Sequence, residues 1–469
     1  MSRRIEILDT TLRDGNKLPF VVLSTAERVA LARQLARLGV DVIEAGFPAA
    51  SAEEADCVAR VCAEVQGPRV AALARALPAD VDRALEALAP AAQKHLHLFM
   101  SVAPQFLGQV LRQSEEQALS SIARLVQAGK SAGVRVQFSL SEAPHARAEF
   151  LLDACRAACE AGADVINVAD TNGILVPADV SDLVSRVRGI AEARRPGPPL
   201  VGIHCHNDLG LATANTLAAI EAGASHVEVT LGGFGERAGN APLEEIAFLL
   251  AAYGERWSVT HGIRLSEIAR TARFFDSLTG IRAHPNRPVT GQCAFVPTAG
   301  GFAGASLPPR LHELFQEKTI GRGEPAAVEV PGLEEQQGRY RLESFSVMTG
   351  SQSPPVGVVV ISREGSTLTQ SSHGTGPIDA LFRAVDRALG FSTKMVQYSV
   401  STLATGTEAE TEVIVTVELR GRKFHGRHRS TDVIDASLRA YLKACNAIGG
   451  SGVLDGTADF HVHGEYLWE

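Results

Sequence analysis

Eight apolar, β-rich runs recur through the first 255 or so residues: "RIEILDTT", "VDVIEAGF", "RVAALAR", "HLHLFMSVA", "RVQFSLSEA", "DVINVADTN", "VGIHCHND" and "SHVEVTLGG". Helical patterns separate them, such as 25–38 with Ser24 as N-cap, 114–132, 147–161 and 211–223, several ending on glycine as a helix C-cap does. A strand that must wait for a helix before the next strand pairs in parallel, because antiparallel neighbours need only a hairpin. Eight such units in roughly 250 residues predict a (β/α)8 TIM barrel, an α/β fold. The alternative is an open doubly wound sheet, but no GxGxxG follows the first strand.

The cadence breaks after Trp257, and 281–335 is rich in Gly, Pro and Thr. From about 340 strand-like "YRLESFSVMTG" and "PPVGVVVISREG" precede helical "PIDALFRAVDRAL"; strands "MVQYSVSTLAT" and "AETEVIVTVELRG" precede helical "TDVIDASLRAYLKACNAI". The expected organisation is a barrel over 1–260, a linker subdomain over 261–338, an α+β domain over 339–450 and an unassigned tail over 451–469. At 45% hydrophobic residues the 469-residue chain has ample material for cores, yet no apolar run of membrane-spanning length. A net charge of −8 without a Lys/Arg cluster argues against nucleic acid and leaves small molecules as partners. Seven scattered cysteines without CxxC spacing, and an N-terminus leading straight into a strand, read as a cytoplasmic protein.

The seventh run carries the chemistry. Residues i and i+2 of a strand share a face, so His204 and His206 project together while Cys205 points the other way. The run ends at Asn207–Asp208, which puts the histidines at the C-terminal rim where barrel active sites are built. A divalent cation there also wants a carboxylate, and "DTTLRDG" at the end of the first strand offers Asp9 and, just beyond it, Arg13 and Asp14. The eighth strand leads into the Gly-rich "GGFGERAGNAPLEE" with Glu236, Arg237 and Asn240. Taken singly, "LRDG" reads as a turn with a surface ion pair and the glycine loop as a helix cap. Three polar clusters converging on one rim read as a site.

"DTTLRDG", "EAGFPAAS", "INVADTNG", "HCHNDLGLATANTLAAIEAGA" and "GFGERAGNAPLEE" together resemble the 2-isopropylmalate synthase and homocitrate synthase family of acyl-CoA-condensing barrel enzymes. "SSHGTGPIDALFRAVDRALG" and "GRHRSTDVIDASLRAYLKACNAI" are similar to the regulatory domain of 2-isopropylmalate synthases, where leucine binds as the end product. The resemblance implies Asp14, His204 and His206 as metal ligands with Asn240 as a fourth, and Arg13 as the catalytic cation that polarises the oxo-acid carbonyl. It implies Glu44, His97, Ser139, Thr171 and Arg237 as lining of the oxo-acid and acyl-CoA pocket. The implied reaction is a Claisen-type condensation of an acyl-CoA with a 2-oxo acid, the cofactor a divalent metal (Mg, Mn or Zn). The implied assembly is a homodimer with an amino-acid effector at the C-terminal domain.

Three departures from the family pattern stand out. "LRDG" is followed by Asn16-Lys17 where Glu-Gln is usual, which changes the charge beside the metal. The fifth strand carries Ser141 where the catalytic glutamate usually stands, with Glu142 one residue later, so Glu142 substitutes only if the backbone re-aims it. "VPTAGGFAG" places Pro297 and Phe302 where histidines usually stand, leaving His284 and His312 as the nearest ones. Two readings follow: a condensing enzyme with a rebuilt proton relay, or a catalytically silent homologue that acts through metabolite binding at its C-terminal domain. A lyase running the bond the other way is a third, disfavoured by the regulatory-type domain.

Overall fold

The computed structural model describes residues 2–18, 21–194, 197–281, 283–295, 313–314, 316–322, 339–363, 366–402 and 410–449. They fall into two compact units, one of 1–18 with 24–329 and one of 330–469 with 19–23.

The first unit is a closed parallel barrel of eight strands. After a short β1 (Arg3–Arg4), the barrel strands are β2 (Glu6–Asp9), β3 (Val42–Gly46), β4 (Arg69–Arg75), β5 (Lys94–Ser101), β6 (Arg135–Ser141), β7 (Val165–Asp170), β8 (Leu200–Cys205) and β9 (His226–Val229). The helices between and after them are α1 (Thr25–Leu38), α2 (Ala52–Glu64), α3 (Pro78–Ala87), α4 (Glu115–Ser131), α5 (Ala148–Ala161), α6 (Pro177–Ala193), α7 (Ala212–Glu221) and α8 (Leu243–Trp257). All eight strand runs read from the sequence are barrel strands. Pairing of β2 with β9, from Glu6 opposite His226 to Asp9 opposite Val229, closes the ring and rules out the open sheet. Ser24 caps α1 as expected, in a capping box with Glu27, and Gly39 ends it in the left-handed region. Beyond α8, the short β10 (Val259–Thr260) pairs in parallel with β1, and α9 (Ile268–Thr279) is tied to α1 by Gln34 Nε2 donating to Thr271 Oγ1 at 2.9 Å. The expectations at Pro297, Phe302 and His312 lie outside the described residues. His284 is engaged in its own turn, its Nδ1 accepting from Asn286 N at 3.2 Å.

The second unit repeats one plan twice. Antiparallel β11 (Tyr340–Gly350), β12 (Ser353–Arg363) and β13 (Ser366–His373) lead into α10 (Pro377–Leu389). Antiparallel β14 (Lys394–Thr402), β15 (Thr411–Leu419) and β16 (Arg422–Ser430) lead into α11 (Val433–Gly449). Sequence reasoning missed β13 and β16. "STLTQSSH" and "RKFHGRHRS" have almost no apolar alternation, and their partner strands hold them in register. Val359, Ile361, Leu381, Val385, Val413, Val415, Leu438 and Tyr441 share one core.

That core encloses a carboxyl. Tyr441 Oη donates to Asp386 Oδ1 at 2.5 Å and meets Thr393 Oγ1 at 2.9 Å. Burial pushes Asp386 up to about 7, against the lowering influence of the Tyr441 hydrogen bond. In the unfolded chain the same group loses its proton near pH 4. Between about pH 4 and pH 7 the unfolded state therefore holds fewer protons than the folded one, so this contribution to stability falls as pH rises and levels off above 7. Asp386→Asn is expected to abolish that slope. Urea midpoints of wild type and variant at half-unit steps from pH 4 to 8 check it, and parallel curves would reject it.

Candidate metal centre and its charged surround

The loops at the C-terminal ends of β2, β8 and β9 build the site. At the end of β2 the backbone turns through Thr10, whose carbonyl accepts from the backbone N–H of Arg13, Asp14 and Gly15. This turn points Asp14 back into the barrel mouth, where it is fully buried. His204 lies on β8 and His206 one residue beyond it, bridged to Asn240 in antiparallel fashion. Cys205, between them, is buried on the other face, as the strand period requires.

One ligand atom each from Asp14, His204 and His206 lie within 4.8 Å of one another. His204 Nε2 is 3.5 Å and His206 Nε2 3.9 Å from Asp14 Oδ2. Asn240 Nδ2 donates to Phe234 O at 3.1 Å, while its Oδ1 is buried without a hydrogen-bond donor, as is Asp14 Oδ2. Buried oxygens without donors are costly unless something positive meets them. Together with two imidazoles they form a donor set that suits a divalent cation. The glycines of the β9 loop make this geometry possible. A Cβ on Gly235 would lie 2.2 Å from Asn240 Nδ2, and Gly239, at φ 90°, would drive one to 2.0 Å from Gly233 O. Arg287, from the segment after α9, donates to Gly232 O and stacks over the Phe234 ring at 5.3 Å, bracing the same loop.

Behind the trio stands a residue that sequence reasoning missed. Glu228 on β9 is 2.8 Å from His204 Nδ1 through Oε2, and its Oε1 accepts from Gln137 and Asn167 at 2.5 and 2.9 Å. A carboxylate on the far ring nitrogen leaves Nε2 as the electron-pair donor and fixes the ring's orientation. The signal was present: a glutamate in mid-strand of "SHVEVTLGG", two residues from His226, has to face the barrel interior. Burial opposes a charged His204, but the Glu228 hydrogen bond and charge, with Asp14, raise its affinity for a proton. The pocket thus favours positive charge. Burial and neighbouring His204 lower His206 to about 3, so that ring is neutral and able to ligate.

Arg13 links this trio to a buried polar line. Its Nη1 lies 3.0 Å from Asp14 Oδ1 and its Nε donates to Glu44 Oε2 at 2.7 Å. Burial alone would keep Asp14 and Glu44 protonated; the Arg13 guanidinium foremost holds both well below the usual carboxylate range. Glu44 Oε2 also accepts from Thr10 Oγ1 at 2.6 Å, and Oε1 meets His97 Nδ1 at 2.5 Å. His97 Nε2 lies 2.6 Å from Ser139 Oγ. Glu44 is thus a fully buried counter-ion to Arg13 inside the barrel.

Glu142, Thr171 and Arg237 are grouped separately, on the rim. Glu142 directly follows β6 in a left-handed conformation, φ 56° and ψ 34°. The turn takes Glu142 out of the strand's alternation. Its carboxylate accepts from Ser101 Oγ at the tip of β5, and its backbone N–H donates to Thr171 Oγ1 at 2.9 Å. A non-glycine residue there is strained by about 1 kcal/mol or more, a cost that neighbouring contacts must hold in place. Arg237 Nη2 donates to Thr171 O at 2.6 Å and its fork clasps both oxygens of Asp208.

Residues 4–275 match the HMGL-like family model and 309–449 the LeuA allosteric (dimerisation) domain. A 2-isopropylmalate synthase from Pyrococcus furiosus is 37% identical over 96% of this chain and 100% of its own length. The chain belongs to the 2-isopropylmalate synthase family. It is therefore an acyltransferase of a divalent-metal-dependent class. A second relative, the 2-isopropylmalate synthase from Heliobacterium modesticaldum, is 35% identical over 97% of this chain and 98% of its own. Among solved structures, the HMG-CoA lyases from Bacillus subtilis and Pseudomonas aeruginosa superpose with TM-scores of 0.50 and 0.51. Each covers 60% of this chain, and 96% and 95% of theirs, at 21% and 19% identity, which shows the shared barrel alone. Beyond the barrel, the chain carries the match to the dimerisation-type domain. No described helix is long and apolar enough to cross a membrane.

Proposed function

We propose that the protein condenses a short-chain acyl-CoA, in the first instance acetyl-CoA, with a 2-oxo acid in a Claisen-type reaction like that of 2-isopropylmalate synthase. The observation that carries this reading is the buried Asp14–His204–His206 cluster joined through Asp14 to Arg13, in a chain alignable end to end with synthases. Asp14, His204, His206 and Asn240 are the residues to hold a divalent ion (Mg, Mn or Zn), which when bound supplies Lewis acidity to the ketone. Arg13, fixed by two carboxylates, presents a preorganised positive charge where alkoxide charge develops, so no reorganisation is needed as the bond forms. Glu44, His97 and Ser139 fix Arg13 and line the polar side of the pocket, and Thr171 and Arg237 order the rim at which the thioester enters.

Glu142 is the carboxylate of the proton relay in this reading. It sits at the rim, where one carboxylate oxygen accepts from Ser101 Oγ, and it takes the α-proton of the acyl thioester; the resulting enolate attacks the carbonyl carbon of the 2-oxo acid, and water then cleaves the thioester to release CoA. Glu142→Gln is expected to lower kcat by about a hundredfold or more, the usual range for a general base, with metal content unchanged. Equal turnover would reject the role.

The setting is amino-acid biosynthesis, with a homodimer joined by the C-terminal domain and an amino-acid effector bound there. Free thiol released from acetyl-CoA, with Mg or Mn and each of 2-oxoisovalerate, pyruvate, 2-oxoglutarate and oxaloacetate, tests the reading. Release that depends on one oxo acid supports it and names the substrate. Silence across the panel with metal bound would overturn it in favour of the catalytically silent homologue.

A further inference from the structure

Lys17 reaches a residue of the candidate metal centre. The short 3-10 turn Gly15–Lys17 brings the side chain back over Asp14, with Nζ 2.8 Å from Asp14 Oδ1 and 2.9 Å from Glu236 Oε1. Oδ1 is also the oxygen that Arg13 contacts, whereas Oδ2 faces the two histidines. One carboxylate is thus divided between the chain's own cations on one oxygen and the two imidazole rings on the other. The two cations differ in what restrains them. Arg13 is 12% exposed and anchored by buried Glu44, but Lys17 is 42% exposed and its second anchor, Glu236, is 37% exposed. Glu236 lies four residues before Asn240 in the loop after β9, so the Lys17–Glu236 pair also ties the loop of Asp14 to the loop of the fourth candidate ligand.

We propose that Lys17 is an internal competitor of the divalent ion, that Glu236 restrains it, and that the pair sets how tightly the centre keeps its metal. This rests on the metal reading of Asp14, His204 and His206 given above. The ammonium and the ion both draw on the charge of one carboxylate and repel each other, and exposure screens that repulsion without removing it. Glu236 works the other way. It neutralises the ammonium and pulls it toward the β9 loop, so that Asp14 is left with more of its charge for the ion. Lys17 and Glu236 are positioning residues, since neither is a ligand in this reading.

Titration of metal-stripped full-length protein with Mn2+, with the free ion read by electron paramagnetic resonance, tests this without reference to turnover. Lys17→Met is expected to bind about tenfold more tightly than wild type, a conservative figure for one screened charge beside a divalent ion. Lys17→Arg, which keeps the charge, returns to within about threefold of wild type. Glu236→Gln is expected to weaken binding about tenfold in the wild-type background but less than about twofold in Lys17→Met, because its effect passes through the ammonium. Melting of the metal-free variants shows that each is folded. Equal affinity in wild type and Lys17→Met, or an undiminished Glu236→Gln penalty in the double variant, overturns the proposal alone. Wild type that takes up no Mn2+, or His204→Ala that binds it as well, removes the metal centre and the proposal with it.

Discussion

Asp14→Ala is expected to cost the protein its divalent metal while leaving the barrel folded. Asp14 supplies the carboxylate that faces both histidines, and the same substitution leaves Arg13 with its Glu44 partner and Lys17 with Glu236. The fold therefore keeps its principal ion pairs. Loss of an outer partner alone costs about ten- to a hundredfold in metal affinity, so loss of a direct ligand is expected to exceed about a hundredfold. His204→Ala should match it, and Glu228→Gln should fall in the lower range, because Glu228 acts through the His204 ring and is not itself a ligand. Metal content after gel filtration, alongside circular dichroism and melting, checks all three. Full occupancy in purified Asp14→Ala and His204→Ala would end the assignment.

Arg13→Lys is expected to lower kcat/KM for the oxo acid by about a hundredfold to a thousandfold, the range seen when one preorganised donor to a developing oxyanion is lost. Lysine keeps the charge but not the fork, and cannot hold Asp14 and Glu44 at once in the geometry that Nη1 and Nε provide. Arg13→Ala should add a stability loss of about 3–5 kcal/mol, because it strands the buried charge of Glu44. The two variants therefore separate catalysis from folding. Steady-state kinetics with melting temperatures decide it, and a kcat/KM for Arg13→Lys within about twofold of wild type would show that the guanidinium serves the fold alone.

The structure also recasts the first two sequence departures. The change of charge read at Asn16-Lys17 falls on a candidate ligand directly, since Lys17 touches Asp14 itself. Ser141 ends β6 facing Thr171, its Oγ 3.3 Å from Thr171 Oγ1, and the next residue leaves the strand in a left-handed turn. A one-residue offset normally puts a side chain on the opposite face of a strand, but Glu142 lies beyond the end of β6, where that alternation no longer applies. The price is backbone strain at Glu142, which no pattern of hydrophobic residues reports.

Much of this protein was written in short-range order. Period-two runs separated by amphipathic helices specify parallel strands, so the eight barrel strands and the Ser24 cap were legible. The HxH spacing was equally legible, because a strand's alternation is local and puts His204 and His206 on one face whatever surrounds them. Other features depended on partners distant in the chain. Closure of the ring rests on β2 meeting β9 across some 220 residues, a pairing whose local patterns an open sheet would share. The polar strands β13 and β16 are strands because β12 and β15 complete their hydrogen bonds, not because their side chains favour burial. Glu228 behind His204, Glu44 beneath Arg13 and Lys17 on Asp14 are likewise meetings between different strands and loops. Local periodicity sets which face a side chain takes, and only the closed tertiary structure sets which charges meet across it.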